Sequence, residues 1–168
     1  KAAWTQVMGT AAGAAAQSEY AGLQYFVPGA KRIKKGAGLD VMARAFTVQQ
    51  MAFSTAIQHG NGGASSVFRN ALKGLGYPPN AVTETNPTDA ALIRAVYAER
   101  RSGNGARYFK KSTQGVRNSV VDRFHNEEAD ALRSLEQEIK KAQENPPKAE
   151  PGDNSAATQT VSPHRGAA

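Results

Sequence analysis

The residues best equipped for chemistry stand together in the string Phe53-Ser54-Thr55-Ala56-Ile57-Gln58-His59-Gly60. Two hydroxyls, a carboxamide and an imidazole gather there toward the end of an otherwise apolar stretch. Where such groups are buried they must be hydrogen-bonded. They therefore either tie down the glycine-rich segment that follows or line one wall of a polar cleft. Carboxylates for acid–base work are sparse ahead of the acidic last helix: Glu19, Asp40, Glu84, Asp89 and Glu99. Asp40 and Asp89 read as helix caps, and Glu84 lies in a proline-containing loop. Glu99 precedes Arg100 and Arg101, a setting for an ion-pair partner rather than a proton donor. Glu19, in an Ala-rich helix, and Glu99 are the catalytic candidates that remain.

Several chemistries are excluded outright. The chain has 168 residues and no cysteine, so disulfides, thiolate metal sites and cysteine nucleophiles are absent. His59, His125 and His164 are too scattered in sequence to propose a metal site, and no cofactor is expected. The glycine-rich pieces at 60–63 and 102–105 are not followed by the Lys-Ser/Thr that a phosphate cradle needs. No apolar run is long enough to predict a membrane span.

The elements that must position these residues all read as helical. Residues 2–26 are Ala-rich, with Trp4, Val7, Met8, Tyr20, Leu23 and Phe26 spaced as an apolar face. Pro28 and Gly29 predict a break, and Lys31 to Lys35 a basic turn. Asp40 is placed to cap a helix running to about His59, apolar nearly all round and hence central. A flexible Gly60–Gly63 loop and a helix around residues 64–72 follow. Thr88 or Asp89 caps a helix bearing Leu92, Ile93, Val96 and Tyr97, which Ser102-Gly103-Asn104-Gly105 ends. Ser112 is placed to cap the last and longest helix, with Val116, Val120, Phe124, Leu132, Leu135 and Ile139 at helical spacing. The fold class is all-α, with a helical domain over residues 1–144. Residues 145–168 hold four of the eight prolines and one branched aliphatic, Val161, which predicts a disordered Pro/Ala-rich tail.

Charge is unevenly spread. The chain carries 21 Lys/Arg against 14 Asp/Glu, a net +7. Residues 94–117 alone contribute +6, while residues 118–144 contribute −3. Such a field attracts nucleic acid, anionic lipid or anionic wall polymers; alternatively the basic segment pairs with the acidic final helix.

The order of Gly38-Leu39-Asp40-Val41, Val48-Gln49 and the Phe53–Gly60 string resembles lysozyme-like domains of the chitosanase-like branch. The likeness continues through Leu92-Ile93, Tyr97-Ala98-Glu99-Arg100-Arg101, Tyr108-Phe109, Ser112, Val116-Arg117, Val120, Arg123-Phe124 and Glu127 to Leu132. These domains occur in phage tail and virion proteins and in type VI secretion spike proteins and effectors. Phe53 stands where that group has tryptophan, and Ile57 where it has valine.

The resemblance implies a peptidoglycan hydrolase that cleaves glycan strands, acting in the periplasm or cell wall after secretion or from a virion. It implies Ser54, Thr55, Gln58 and His59 as substrate contacts or their supports, with Tyr97 and Tyr108 placed to stack on sugar rings. The Gly-Lys-x-Ser-Tyr-Gly-x-Tyr-Gln segment and the catalytic glutamate that usually precede this stretch are not in the sequence. The expectation is therefore a C-terminal portion whose catalytic residue lies upstream, and which is inactive alone. Its expected partners are peptidoglycan, that upstream segment and an immunity protein. The competing readings are a basic helical nucleic-acid-binding protein, disfavoured by its sparse aromatic interleaving, and an inactive structural component of a virion or secretion apparatus.

Overall fold

A computed structural model describes residues 10–145. The expectations for Trp4, Val7, Met8 and His164, and for all of the tail beyond Asn145, lie outside the described residues. Among the described residues the chain is built from helices without strands, as the periodicity implies. No helix there is long and apolar enough to cross a membrane.

Helix α1 (Ala11–Ala21) is capped by the Thr10 hydroxyl, which accepts from the Gly13 N–H at 3.1 Å. A single π-helical turn, Gly22–Phe26, then leads directly into α2 (Val27–Ala37). The predicted break at Pro28 is thus corrected. The chain stays helical through Pro28, and the carbonyl of Gln24, four residues back, which a proline cannot serve, accepts from Asn61 Nδ2 at 3.2 Å instead. The predicted basic turn is likewise helical, with Ala30, Ile33 and Ala37 buried along one side of α2. Gly29 serves close packing instead, since a Cβ there would stand 3.0 Å from that of Ala56. Of the described residues of the expected apolar face, Tyr20 and Leu23 are exposed, and Phe26 makes an edge contact with Phe53.

Helix α2 ends at Gly38, whose φ of 73° is left-handed. A side chain there would also run into the Pro79 carbonyl, 2.1 Å from an ideal Cβ. Asp40 does cap, but it caps the short 3-10 turn Val41–Ala43, accepting from the Met42 N–H at 3.1 Å. The long helix α3 starts later, at Phe46, because burial of Val41 and Arg44 holds the chain in that turn first. Arg44 donates to the carbonyls of Glu84 and Pro87 at 2.5 and 2.6 Å and pairs with Asp89 at 3.1 Å.

Helix α3 (Phe46–Gly74) is kinked at Gly60, where φ is 70° and ψ 167°. Residues 60–63 are therefore a kink with helix resuming behind it, not a flexible loop. Val48, Met51, Ala52 and Ala56 before the kink, and Ala64, Val67, Phe68, Ala71 and Leu72 after it, enter the core. Burial is not all round as expected, because Phe46 and Ile57 face outward.

Helix α4 (Asp89–Arg100) is capped by Thr88, and Leu92, Ile93, Val96 and Tyr97 are buried, as their spacing implies. Left-handed Gly103, Asn104 and Gly105 form the expected break. Thr113, not Ser112, caps α5 (Gln114–Glu144) by accepting from the Val116 N–H. Helix α3 packs against α2, α4 and α5, and α4 packs against α5. The first half of α3 and the middle of α5 thereby become the walls of an open groove.

Candidate functional site

Two adjoining depressions, of about 250 and about 510 Å³, lie between α3 and α5. Gln50, Ser54 and Glu127 line both. The smaller is completed by Tyr97 at its floor and by Asp130 and Ser134. The larger is completed by Phe53, Ile57, Gln58 and Arg123. The result is a cleft with a largely apolar surface into which amides, hydroxyls and carboxylates are set.

Of the four polar residues in the helical string, Ser54 and Gln58 stand on this groove, one helical turn apart. Thr55 and His59 lie on the neighbouring face and line neither depression. Thr55 is fully buried and donates to the Met51 carbonyl at 2.7 Å. His59 packs among Tyr108, Phe109 and Phe124, its ring centroid 5.1 Å from that of Tyr108. Burial first, then the charges of Arg100 and Arg123, push its pKa down to about 4, so at neutral pH it is uncharged.

Beneath Gln58 and Glu127 lies Arg100, fully buried. Its Nη2 donates to Gln58 Oε1 at 2.7 Å and its Nη1 to Glu127 Oε2 at 3.3 Å. The rings of Phe124 and Tyr97 flank the guanidinium at 4.0 and 4.9 Å. Burial lowers the pKa of Arg100, and raises that of Tyr97 to about 12. Arg123 closes over the other oxygen of Glu127, Nε to Oε1, at 3.1 Å. A carboxylate accepting from two guanidiniums is poorly arranged to deliver a proton.

The two carboxylates left as catalytic candidates are elsewhere. Glu19 is exposed on α1. Glu99 does form ion pairs, but not with its chain neighbours: it pairs with Arg107 at 3.2 Å and accepts from Tyr108 at 2.5 Å and Asn70 at 3.0 Å. That contact occupies the Tyr108 hydroxyl; burial first, and then Glu99, raise its pKa to about 12. Arg100 and Arg101 instead cross to Glu127 and Glu128 of α5, the latter pair at 2.6 Å. Among the described residues no three His, Asp or Glu gather as a metal site.

Glu127, Gln50, Asp130 and Ser134 are groove residues that sequence reasoning passed over. Nothing in the spacing of the acidic final helix tells which of its carboxylates meets a buried arginine. The complementary charges of residues 94–117 and 118–144 were the available signal.

An all-α chain with a groove between its central and final helices defines the class. Comparison with protein families makes it specific: a family model matches residues 2–128, and the chain belongs to the family of type VI secretion system spike proteins, VgrG3-like, C-terminal. The match takes in Ser54, Gln58, Tyr97, Arg100 and Glu127 and ends before Asp130 and Ser134. Comparison with curated proteins and with solved structures gives no match.

Proposed function

We propose that this chain is the glycan-binding helical portion of a peptidoglycan hydrolase carried by a type VI secretion spike, and that its α3–α5 groove receives a wall glycan strand. The observation that carries this reading is the groove's lining. Amides at Gln50 and Gln58 and hydroxyls at Ser54 and Ser134 offer donors and acceptors suited to a polyhydroxylated, amide-bearing chain. Phe53 and Ile57 at the lip supply the apolar surface against which sugar faces pack. The family assignment places the module on a secretion spike, and the resemblance to lysozyme-like domains supplies the glycan-cleaving activity and the bacterial wall as target. In this reading the cleaving acid comes from a segment preceding the stretch seen here, because Glu127 is held in ion pairs. An immunity protein in the producing cell is the corresponding protective partner.

The test is sedimentation of the 168-residue chain with purified sacculi, scored together with release of soluble muropeptides. Binding without release is the expected result. Release by this chain alone would move catalysis onto its own carboxylates, Glu127 first among them. Failure both to bind and to release would overturn the reading.

The nucleic-acid reading loses part of its support once the basic segment is seen folded. Arg100, Arg101 and Arg107 are matched by Glu127, Glu128 and Glu99, and Arg117 donates to the Ser112 carbonyl and to Gln114. Arg94, Lys110, Lys111 and Arg117 have no acidic partner among the described residues, so a reduced positive patch remains beside the groove's helices.

A further inference from the structure

Arginine has donors and no acceptor. The 2.7 Å contact from Arg100 Nη2 therefore fixes which end of the Gln58 carboxamide points inward: the oxygen faces Arg100. The amide nitrogen is left on the groove side. Among the described residues no acceptor takes either of its hydrogens, and Gln58 lines the larger depression beside Ser54 and Glu127. Arg100 is itself immobilised between Phe124 and Tyr97, so the orientation of Gln58 is imposed from below. The carboxylates of the groove are each matched by a cation, Glu127 by Arg100 and Arg123, and Asp130 by Arg133. A cationic amino sugar meets no uncompensated anion there, whereas a carbonyl oxygen meets a presented N–H pair.

We infer that Gln58, oriented by Arg100, is a specificity-determining residue that donates to the acetamido carbonyl of a glycan strand and so selects N-acetylated over de-N-acetylated sugars. This rests on the glycan-binding reading given above. An ammonium in place of the acetamido group sets donor against donor, and an unpaired polar group in a site built for a hydrogen bond is costly.

The experiment compares sedimentation of the chain with intact sacculi and with the same sacculi after chemical de-N-acetylation. Wild type is expected to bind the intact material about tenfold more tightly, the discrimination typical of one mismatched hydrogen bond. Gln58→Glu keeps an acceptor for Arg100, so its thermal midpoint holds, but it loses the donors. It is expected to lose about tenfold in affinity for intact sacculi and to lose the preference for them. Equal binding of both materials by wild type overturns the inference, and needs no variant. So does a folded Gln58→Glu protein that binds intact sacculi as wild type does. Binding of neither material by wild type is a different outcome: it removes the glycan reading itself, and the inference with it.

Discussion

The guanidinium carbon of Arg100 stands 4.0 Å from the ring centroid of Phe124, a fully buried cation against a fully buried ring. This contact joins α4 to α5 directly beneath the groove. Loss of a buried phenyl ring typically costs about 3–5 kcal/mol, and here it also removes the cation–π attraction. Phe124→Ala is therefore expected to lower stability by about 4 kcal/mol, read as a shift of the urea midpoint. A loss below about 1 kcal/mol would mean that the ring does not anchor the arginine.

The second buried arginine makes an independent prediction. Arg44 is tied to two carbonyls of the loop before α4 and pairs with Asp89, which also accepts from the Ala45 N–H at 3.2 Å. Removing the carboxylate leaves a buried guanidinium without its counter-charge. Asp89→Ala is expected to cost about 3 kcal/mol, while Lys34 and Asp40, exposed partners at 2.5 Å, tolerate Asp40→Asn far better. Denaturant midpoints of the two variants, compared side by side, test the ranking.

His59 confers a pH dependence whose sign follows from its depressed pKa. The unfolded chain takes up a proton near the ordinary value of 6.5, while the folded chain resists it down to about 4. Between these values the unfolded state binds more protons, so stability falls as pH drops through that window and levels off below it. Above 6.5 the residue is neutral in both states and contributes no slope. His59 Nε2 is buried without a hydrogen-bond partner, and the surroundings are aromatic. His59→Phe is therefore expected to hold or raise stability at pH 7 and to flatten the decline below pH 6.5. Urea unfolding at several pH values checks both parts; an unchanged slope would locate the dependence elsewhere.

Filling the groove should separate binding from folding. Ser54 is half-exposed and lines both depressions. Ser54→Tyr is expected to leave the thermal midpoint within a degree or two, about the range of surface substitutions, and to weaken sacculus sedimentation at least severalfold. Undiminished sedimentation would show that the strand, if bound, lies on another face.

How far the fold was legible depended on whether a local rule was the deciding one. Thr88 before an apolar-periodic run, and Ser102-Gly103-Asn104-Gly105 after it, delimit α4 by backbone chemistry alone. The break expected at Pro28 failed because a π-helical turn precedes it and Asn61 takes up the Gln24 carbonyl that the proline leaves without a donor, while the buried row of Ala30, Ile33 and Ala37 favours a helix. Asp40 caps as its side chain predicts, yet caps a different turn, because burial of Arg44 and Val41 delays the helix.

The candidate site divides along the same line. Helical spacing by itself pairs Ser54 with Gln58 and Thr55 with His59, since residues four apart share a face. Composition and periodicity likewise determine that the described chain is helical, and that its basic and acidic segments are complementary. Which of the two polar faces opens to the groove is decided only where α5 packs across α3. That same packing brings Glu127 onto Arg100, residues 27 positions apart, and turns Gln58 so that its donors face outward. Local pattern is short-ranged because it reflects backbone sterics and one-turn neighbours. A groove is made by contacts distant in sequence, and those are settled by burial.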